Sequence, residues 1–321
     1  MVETPGKITL WGIEVFIATA QEGAISAAAR RLGASPSAVS QQLSNLENAI
    51  GAILLDRSSR PATLTTAGEI FLRRAQSILN EATQARAELA MADLSVLTRF
   101  RLGMIEDFDA EVTPRLLAGM ADQLQGCQFL LETGASHHLF DLLDMRALDV
   151  VVAADTGFST DWAEVRPLMQ EPFVAAVPRG RINAAGDVLA QLRTLPMIQY
   201  TERHHMGRQI AAHLAQQGAH LAHRFQLDSY HAIMAMVAGG AGWSILTPLG
   251  YLSAHRFQRD VELIALPFPP LTRRITLTAR RRVLHDMPDL MMRHLKPLLS
   301  ELVVTPARRA FPWIRDSLML L

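Results

Sequence analysis

Residues 35–65 read SPSAVSQQLSNLENAIGAILLDRSSRPATLT, and this stretch decides the fold of the N-terminal region. Ser35 is suited to cap a helix and Pro36 to follow it at the first helical position, because the backbone N–H that proline lacks has no partner there. Apolar residues at helical spacing give this helix an inward face: Val39, Leu43 and Leu46. The sequence therefore predicts a helix that begins near Ser35.

Two shorter helices are predicted upstream of it. The first starts near Leu10 and ends at Gly23, where a left-handed backbone costs little. The second reads SAAARRLG and ends at Gly33. Only a short turn separates it from the helix at Ser35, and two helices that meet in this way form a helix-turn-helix.

The outward side of the third helix begins with hydroxyl and amide side chains. These groups both donate and accept hydrogen bonds, and a glutamine can hold adenine in a bidentate pair, so such a face can read base edges in the major groove of DNA. An isolated polar stripe is more often a solvated helix face, so the prediction depends on its surroundings. The candidate DNA-binding residues on this helix are Ser35, Pro36, Ser37, Ser40, Gln41 and Gln42.

The segment after Gly51 supplies those surroundings. It contains two short β-prone stretches on either side of a Ser-Arg-Pro turn, with Arg57 and Arg60 at the tip. A hairpin beside a helix-turn-helix is a wing, and its arginines suit phosphate or minor-groove contacts. We therefore predict a winged helix-turn-helix that binds DNA.

A long helix is predicted from Thr66 to about residue 95, because glycine and proline are absent after Gly68. Seven of its residues advance by alternating steps of four and three, which is the heptad seam of a coiled coil. The seam consists of Phe71, Ala75, Ile78, Ala82, Ala85, Leu89 and Ala92. Charged and polar residues surround this narrow stripe, so we expect it to pair with a second copy; packing on its own domain is the alternative.

Composition sets limits on the whole chain. With 321 residues, 49% of them apolar, two or three compact units are expected. The 31 basic residues balance the 31 acidic ones, so a nucleic-acid site must be local. Cys127 is the one cysteine and cannot form an intramolecular disulfide, and no signal peptide or membrane span is recognisable. A cytoplasmic protein without a membrane partner is therefore expected.

Beyond Thr98, short β-rich runs alternate with helical segments. FRLGMI, CQFLLET and LDVVVAA form a first series, and PFVAAVP, PMIQYT, RFQLDS and GWSIL form a second. This alternation is typical of a mostly parallel sheet built from βαβ units. From sequence order alone, the later ITLTAR run and the last long helix could belong to either half.

Several motifs, in order, resemble those of the LysR-type transcriptional regulators. They are EVFIATAQEGAISAAARRL, SPSAVSQQLSNLENAIGAILLDR and LTTAG, followed by the weaker ALDVVVAAD, PMIQYTERHHMGR and DSYHAIMAMVAGGAGWSILTP. The resemblance covers nearly the whole chain and implies that the serine-rich start of the third helix enters the major groove. Ser-Pro-Ser stands where the family usually has Ser-Gln-Pro, and Gln41 stands where arginine is frequent.

The resemblance also implies an α/β multidomain protein. A winged helix-turn-helix DNA-binding domain is expected over residues 1–65, a linker and dimerisation helix over 66–95, and an effector-binding domain over 96–321. In this family the linker helix pairs two subunits, and two such dimers commonly associate. A homodimer or tetramer bound to double-stranded DNA is therefore expected.

The effector-binding domain implied by the resemblance has two lobes, like a periplasmic binding protein. The chain would cross between them near Gln170 and near Leu266. Lobe one would take residues 98–170 and 267–303, which include ITLTAR and the last long helix, and lobe two would take residues 171–266.

A small effector is expected in the crevice between the lobes, because ligands of open α/β sheets bind at the carboxyl ends of strands. The residues just after the strands are therefore the candidates: Glu106, Asp107, Ser136, His137, Thr201, Ser229 and His231. Ser136 and Ser229 would cap helices whose free N–H groups favour a carboxylate, whereas the acids favour a cation. An amino acid or another amine-bearing acid satisfies both; ordinary helix capping by the acids is the alternative.

Neither a metal site nor a cofactor is predicted. The histidine pairs at 137–138 and 204–205 splay to different sides of a helix or strand, and no HExxH or cysteine-rich spacing accompanies them. P-loop, GxGxxG and GxSxG motifs are absent, so catalysis has no support. The leading hypothesis is a bacterial transcription factor that responds to a small molecule. The alternatives are a ligand-binding or enzymatic protein on the same two-lobed fold, and an architectural DNA-binding protein that senses nothing.

Overall fold

The structure is a computed structural model that describes residues 7–90, 97, 99–157, 160–183, 185–219, 221–281, 283–284 and 286–321. The chain divides into two compact units, one built mainly from the residues before position 97 and the other mainly from those after it. None of the helices in these ranges has the length and hydropathy needed to cross a membrane.

The described part of the N-terminal unit contains four helices and a two-stranded hairpin. The elements are α1 (Leu10–Glu22), α2 (Ile25–Leu32), α3 (Pro36–Ile50), β1 (Leu55–Asp56), β2 (Thr63–Leu64) and α4 (Thr66–Ala90). The Ser35 hydroxyl accepts from the Ala38 N–H at 3.2 Å, and Pro36 takes the first helical position, so the predicted start of the third helix is confirmed. β1 and β2 pair antiparallel as the predicted hairpin.

α1, α2 and α3 pack around one apolar core. Phe16 of α1 and Leu43 of α3 are completely buried, and the small Ala28 of α2 lets the backbones approach closely. Left-handed Gly23 and Gly33 end α1 and α2, as predicted. Local signals therefore determine where these helices start and stop, and apolar spacing determines which faces meet.

The first half of α4 packs on this same core. Phe71 contacts Phe16 with ring centroids 5.3 Å apart, and Ala75 is completely buried. Ala75 is therefore not available to a second chain and Phe71 is only partly so, which means that these two seam positions pack mainly on their own unit, the alternative that the sequence left open. A stripe of apolar residues at this spacing can pack against any helix that lies opposite it, and here that helix is α1 of the same unit.

The remaining seam residues lie further along α4. Ile78 is 39% exposed, Ala82 is half-buried and Ala85 is exposed. The side chain of Leu89 and residue Ala92 lie outside the described part of the chain, as does the end of the predicted linker helix. Ile78 is thus the first seam residue that faces away from the core.

A six-stranded sheet forms the centre of one lobe of the C-terminal unit. In spatial order its strands are β13 (Met319–Leu320), β6 (Ala163–Pro172), β12 (Thr272–Arg280), β5 (Val150–Ala154), β3 (Arg99–Met104) and β4 (Gln128–Thr133). The helices of this lobe are α5 (Val112–Ala121), α6 (Ser136–Asp144), α11 (Met287–Leu299) and α12 (Thr305–Ala310), with a π-helical turn at Ser300–Val304 between the last two.

The other lobe holds two smaller sheets. β7 (Val174–Pro178) pairs antiparallel with β10 (Ser244–Leu246) and β11 (Val261–Ile264), and β8 (Met197–Tyr200) pairs parallel with β9 (His223–Leu227). The helices of this lobe are α7 (Val188–Leu192), α8 (His205–Gln216), α9 (Tyr230–Ala238) and α10 (Pro248–Ser253).

The large sheet is mixed, although the sequence predicts a mostly parallel one. β3 pairs parallel with β4 and β5, but β12 runs antiparallel to β5 and β6, and β13 runs antiparallel to β6. β6 leads into β7 of the other lobe, and β12 returns from it after β11. The prediction is wrong here because a strand that leaves a lobe and one that re-enters it run in opposite directions, which local βαβ alternation does not reveal.

The last residues of the chain cover one edge of this sheet. β13 pairs with the end of β6, and Ile314 and Leu318 are completely buried. The apolar tail is therefore packed on its own unit, and the edge that β6 would otherwise present is paired.

Replacing Phe71 by alanine is expected to destabilise the N-terminal unit more than replacing its neighbour Ile70. The Phe71 ring is half-buried against Phe16, so its loss should cost about 2 kcal/mol, compared with ~3–5 kcal/mol for a fully buried phenylalanine. Ile70→Ala, at an exposed position of the same helix outside the seam, should cost less than about 1 kcal/mol. Urea unfolding monitored by circular dichroism measures both, and equal losses would contradict the difference in burial.

Candidate nucleic-acid interface and ligand cavity

The start of α3 carries the polar residues that the sequence singles out. The exposed ones are Ser35, Pro36, Ser37 and Gln41, and the half-buried ones are Ser40 and Gln42. Gln41 donates from Nε2 to Asn45 Oδ1 at 2.9 Å. Asn45 is also exposed and lies one helical turn further on, so it extends this face; the sequence analysis missed it.

Glu47 of α3 holds the wing in place. Its Oε1 accepts from the Leu54 N–H at 2.9 Å and the Leu55 N–H at 3.3 Å, and its Oε2 pairs with Arg57. The charge of Arg57 is therefore balanced within the unit, whereas Arg60 is exposed at the turn. The sequence does not reveal this role of Glu47, because nothing local shows that its carboxylate reaches the hairpin.

A cavity of about 50 Å³ lies in the C-terminal unit where several strands end. It has room for roughly three to five water molecules. Four of the candidate effector residues line it: Glu106, Asp107, Ser136 and His137. Three candidates are not among its lining residues: Thr201, Ser229 and His231.

The lining also contains residues that the sequence analysis did not select. They include Tyr200, His204, His205, Gln209, Tyr230 and Arg273. Tyr200 is the last residue of β8, and His204 and His205 lie at the start of α8. The rule that ligands bind after strand ends selects Thr201, which lies between them. Arg273 lies near the start of β12, where no sequence signal indicates a site.

The titratable groups of the lining differ in how burial affects them. Burial raises the pKa of Glu106, and the neighbouring charges of Asp107 and Asp109 raise it further. Burial lowers the pKa of His137 and of His205, and the Arg208 charge adds to the lowering of both. Neutral imidazoles each offer one hydrogen-bond donor and one acceptor, so these histidines present polar groups without charge near neutral pH.

Arg273 forms a buried ion-pair network beside the cavity. Its Nη2 lies 2.8 Å from Asp107 Oδ2 and 2.7 Å from Glu171 Oε1. Glu171 also accepts from the Leu249 N–H at 3.1 Å, and Arg273 donates to Thr247 Oγ1 at 3.2 Å. Burial by itself lowers the pKa of Arg273, but the Glu171 and Asp107 carboxylates raise it well above the usual range, so the guanidinium stays charged.

Four buried polar atoms of the lining have no hydrogen-bond partner among the described residues. They are Asp107 Oδ1, His137 Nδ1, His205 Nε2 and Gln209 Oε1. A buried polar atom without a partner costs free energy, and a ligand or ordered water that supplies one recovers it. The cavity is therefore suited to a small molecule with several hydrogen-bonding groups.

The two serines expected to cap helices do not do so. Ser136 is the first residue of α6, and its hydroxyl accepts from the Ala154 N–H at 3.2 Å. Ser229 precedes α9, but its side chain makes no capping hydrogen bond. For Ser136 the reason is its position, because it is the first residue of the helix and Ala135 takes the capping position before it.

The histidines of the cavity meet as aromatic rings. His137 and His204 lie with ring centroids 5.5 Å apart in an edge-to-face arrangement. Within the described ranges, no group of three histidine, cysteine, aspartate or glutamate side chains is arranged to hold a metal ion.

Comparison with known proteins gives matches to both units. The LysR substrate binding domain matches residues 96–298, and the bacterial regulatory helix-turn-helix protein of the lysR family matches residues 10–69. A probable hydrogen peroxide-inducible genes activator of Mycobacterium avium is 30% identical over 92% of this chain and 94% of its own length. The DNA-binding transcriptional dual regulator OxyR of Escherichia coli K12 is 24% identical over 74% of this chain and 78% of its own.

Solved structures show the same fold. A full-length OxyR variant from Pseudomonas aeruginosa gives a TM-score of 0.66 at 22% identity, with 90% of this chain and 95% of that chain covered. Full-length CbnR complexed with its target DNA gives 0.61 at 20% identity, with 91% and 100% covered. The expected fold class and family are confirmed: this chain belongs to the LysR family of DNA-binding transcriptional regulators, with a helix-turn-helix domain ahead of an effector-binding domain.

Proposed function

We propose that this regulator reads DNA through the start of α3 and the wing, and that a small molecule in the cavity beside Arg273 controls that binding. The observation that carries the effector site is the set of four unpartnered polar atoms on one cavity lining. The effector acts through its different affinity for two arrangements of the lobes, which changes the geometry of the DNA-binding domains.

The exposed part of the α3 face supports base reading. Ser37 and Gln41 are four residues apart and lie on one side of the helix, and their side chains can exchange hydrogen bonds with base edges. Residues 1–65 contain five basic and five acidic side chains, and Arg31 and Arg57 are paired with Glu22 and Glu47. Phosphate attraction by a single copy is therefore weak.

A second copy of the chain compensates for this weakness. We propose a homodimer that forms through the later part of α4, where Ile78 is exposed and Ala82 and Ala85 continue the stripe. Two such dimers would form the tetramer that the family resemblance implies. A dimer doubles the groove contacts and sets the spacing of two half-sites at about one DNA turn or a multiple of it.

A double variant, Ser40→Ala/Gln41→Ala, is expected to lose at least about tenfold in affinity for the regulator's operator DNA, because each lost base contact costs ~1–3 kcal/mol. An electrophoretic shift on the intergenic DNA next to the gene measures this. Gln125→Ala, at an exposed position of the C-terminal unit, is the matched control and should bind as the parent does. Unchanged binding by a correctly folded double variant would exclude these side chains from the interface.

The charge pattern of the cavity favours an effector with both an ammonium and a carboxylate group. Glu106 lines the cavity and attracts a cation, while the first residues of α6 and α8 also line it, and the start of a helix favours an anion. The volume admits roughly as many atoms as a very small amino acid contains. We therefore propose an amino acid of the size of glycine or alanine, or a similarly small amine-bearing acid.

Calorimetric titration is expected to give tighter binding of alanine than of methylamine or acetate. Glu106→Gln should weaken alanine binding about fivefold, whereas Glu14→Gln, at an exposed position of the N-terminal unit, should leave it unchanged. Because burial raises the pKa of Glu106, its protonation should weaken alanine binding as the pH falls from neutral toward that raised pKa, and Glu106→Gln should remove this part of the dependence. Tighter binding of acetate than of alanine would rule out the zwitterion.

Oxidation of a thiol is the second candidate trigger, because the Mycobacterium avium relative is named for hydrogen peroxide. In this chain Cys127 is the one cysteine, and it is not among the residues that line the cavity. Burial raises the pKa of the Cys127 thiol, and the Asp149 charge raises it further. The thiolate is the reactive form, so this thiol is a poor reactant for peroxide and has no second cysteine to pair with in the chain.

Treatment with about 1 mM hydrogen peroxide should therefore change the DNA affinity of the parent by less than about twofold. Cys127→Ser should bind DNA equally well with and without peroxide. An electrophoretic shift under both conditions measures this. A peroxide effect that is present in the parent and lost in Cys127→Ser would make oxidation the trigger.

A further inference from the structure

A second, larger cavity of about 320 Å³ lies elsewhere in the C-terminal unit. One wall comes from the residues that lead into α5, another from α10, and the third from the π-helical turn and the start of α12. Its apolar lining includes Ala110, Val112, Leu249, Leu252, Leu302 and Val303. The volume exceeds the roughly 150 Å³ that is sufficient for a benzene molecule in a protein interior.

We propose that this second cavity binds a small amphipathic amine, with an apolar body of about one aromatic ring and a cationic head. The lining includes the acidic residue Glu111, which is exposed, and Asp107, whose carboxylate pairs with Arg273, and it includes no lysine or arginine among the described residues. A mostly apolar cavity with a few polar groups at one side is the usual form of a small-molecule site. Charge complementarity selects an amine over an acid of the same shape.

The helical wall of the cavity supports a binding role. Leu302 and Val303 lie on the π-helical turn Ser300–Val304, and such turns occur frequently at functional sites. The match to the LysR substrate binding domain ends at residue 298, so this wall is built by a part of the chain outside that match. The family match therefore does not describe this third wall of the second cavity.

Asp107 connects the second cavity to the first. It is among the lining residues of both, and its Oδ2 belongs to the ion-pair network of Arg273. Ser253 of α10 also lines the second cavity and donates to the Asp107 carbonyl oxygen at 3.0 Å. An amine in the second cavity thus lies beside a residue that also lines the proposed effector site, although its binding there does not depend on that effector.

Calorimetry of the full-length protein with benzylamine, benzyl alcohol and benzoate tests the proposal. Benzylamine should bind saturably below about 10 mM, benzyl alcohol at least about fivefold more weakly, and benzoate more weakly still. Ala110→Phe, which fills the cavity from an exposed position, should abolish benzylamine binding, and Glu111→Gln should weaken it about fivefold. Ala185→Phe, at an exposed alanine outside the lining, is the matched control.

Variants of the first cavity distinguish the two sites. Glu106 lines only the first cavity, so Glu106→Gln should leave benzylamine binding unchanged. A loss in Glu106→Gln with none in Glu111→Gln would place the amine in the first cavity and overturn the proposal. Absence of saturable benzylamine binding, or binding that survives Ala110→Phe, would also overturn it. Neither result bears on alanine binding in the first cavity, so failure here and failure of the proposed effector are separable.

Discussion

The buried network around Arg273 is the interaction on which the C-terminal unit depends. Arg273 and Glu171 face each other across the antiparallel strands β12 and β6, which are the two strands that lead to and from the second lobe. Asp107 adds a carboxylate from the segment just after β3, and Thr247 and Leu249 add contacts from the start of α10. Removing one member would leave a buried charge unpaired, which typically costs ~3–5 kcal/mol, so the network fixes how these segments meet.

The Arg273 network places the Asp107 carboxylate beside the cavity, a position that contacts between neighbouring residues in the sequence would not give it. The guanidinium binds Asp107 through Oδ2 only, and Oδ1 of the same carboxylate has no partner among the described residues. A ligand that binds Oδ1 shares the carboxylate with Arg273. It is therefore linked to β12 and, through Glu171, to β6. Because cores and buried polar networks rearrange between discrete packings rather than deform continuously, such a contact can shift the balance between two lobe arrangements.

The sequence predicts best the features that neighbouring residues determine. It does not predict contacts between residues that are far apart in the chain. Ser35 and Pro36 start α3 because helix caps depend on a few neighbouring atoms, and the rule that places ligands at strand ends leads to Glu106. Glu171 and Arg273, by contrast, are 102 positions apart, and only the strand register brings them together. The heptad pattern of α4 likewise shows which face is apolar but not which helix lies opposite it.

The same long-range pairing limits how the N-terminal unit can use its charges. Arg57 is held by Glu47, and Arg31 by Glu22, so two of the five basic side chains in residues 1–65 already have acidic partners. In the proposed dimer, each copy would therefore contribute few phosphate contacts, and most of the attraction for DNA would come from groove contacts made by two copies together. Such a complex would be sensitive to the spacing of the two copies, because a shift that moves one copy out of register with the DNA removes all of its groove contacts. Under the proposed function, weak individual domains would thus allow a modest change in the effector-binding lobes to alter DNA binding.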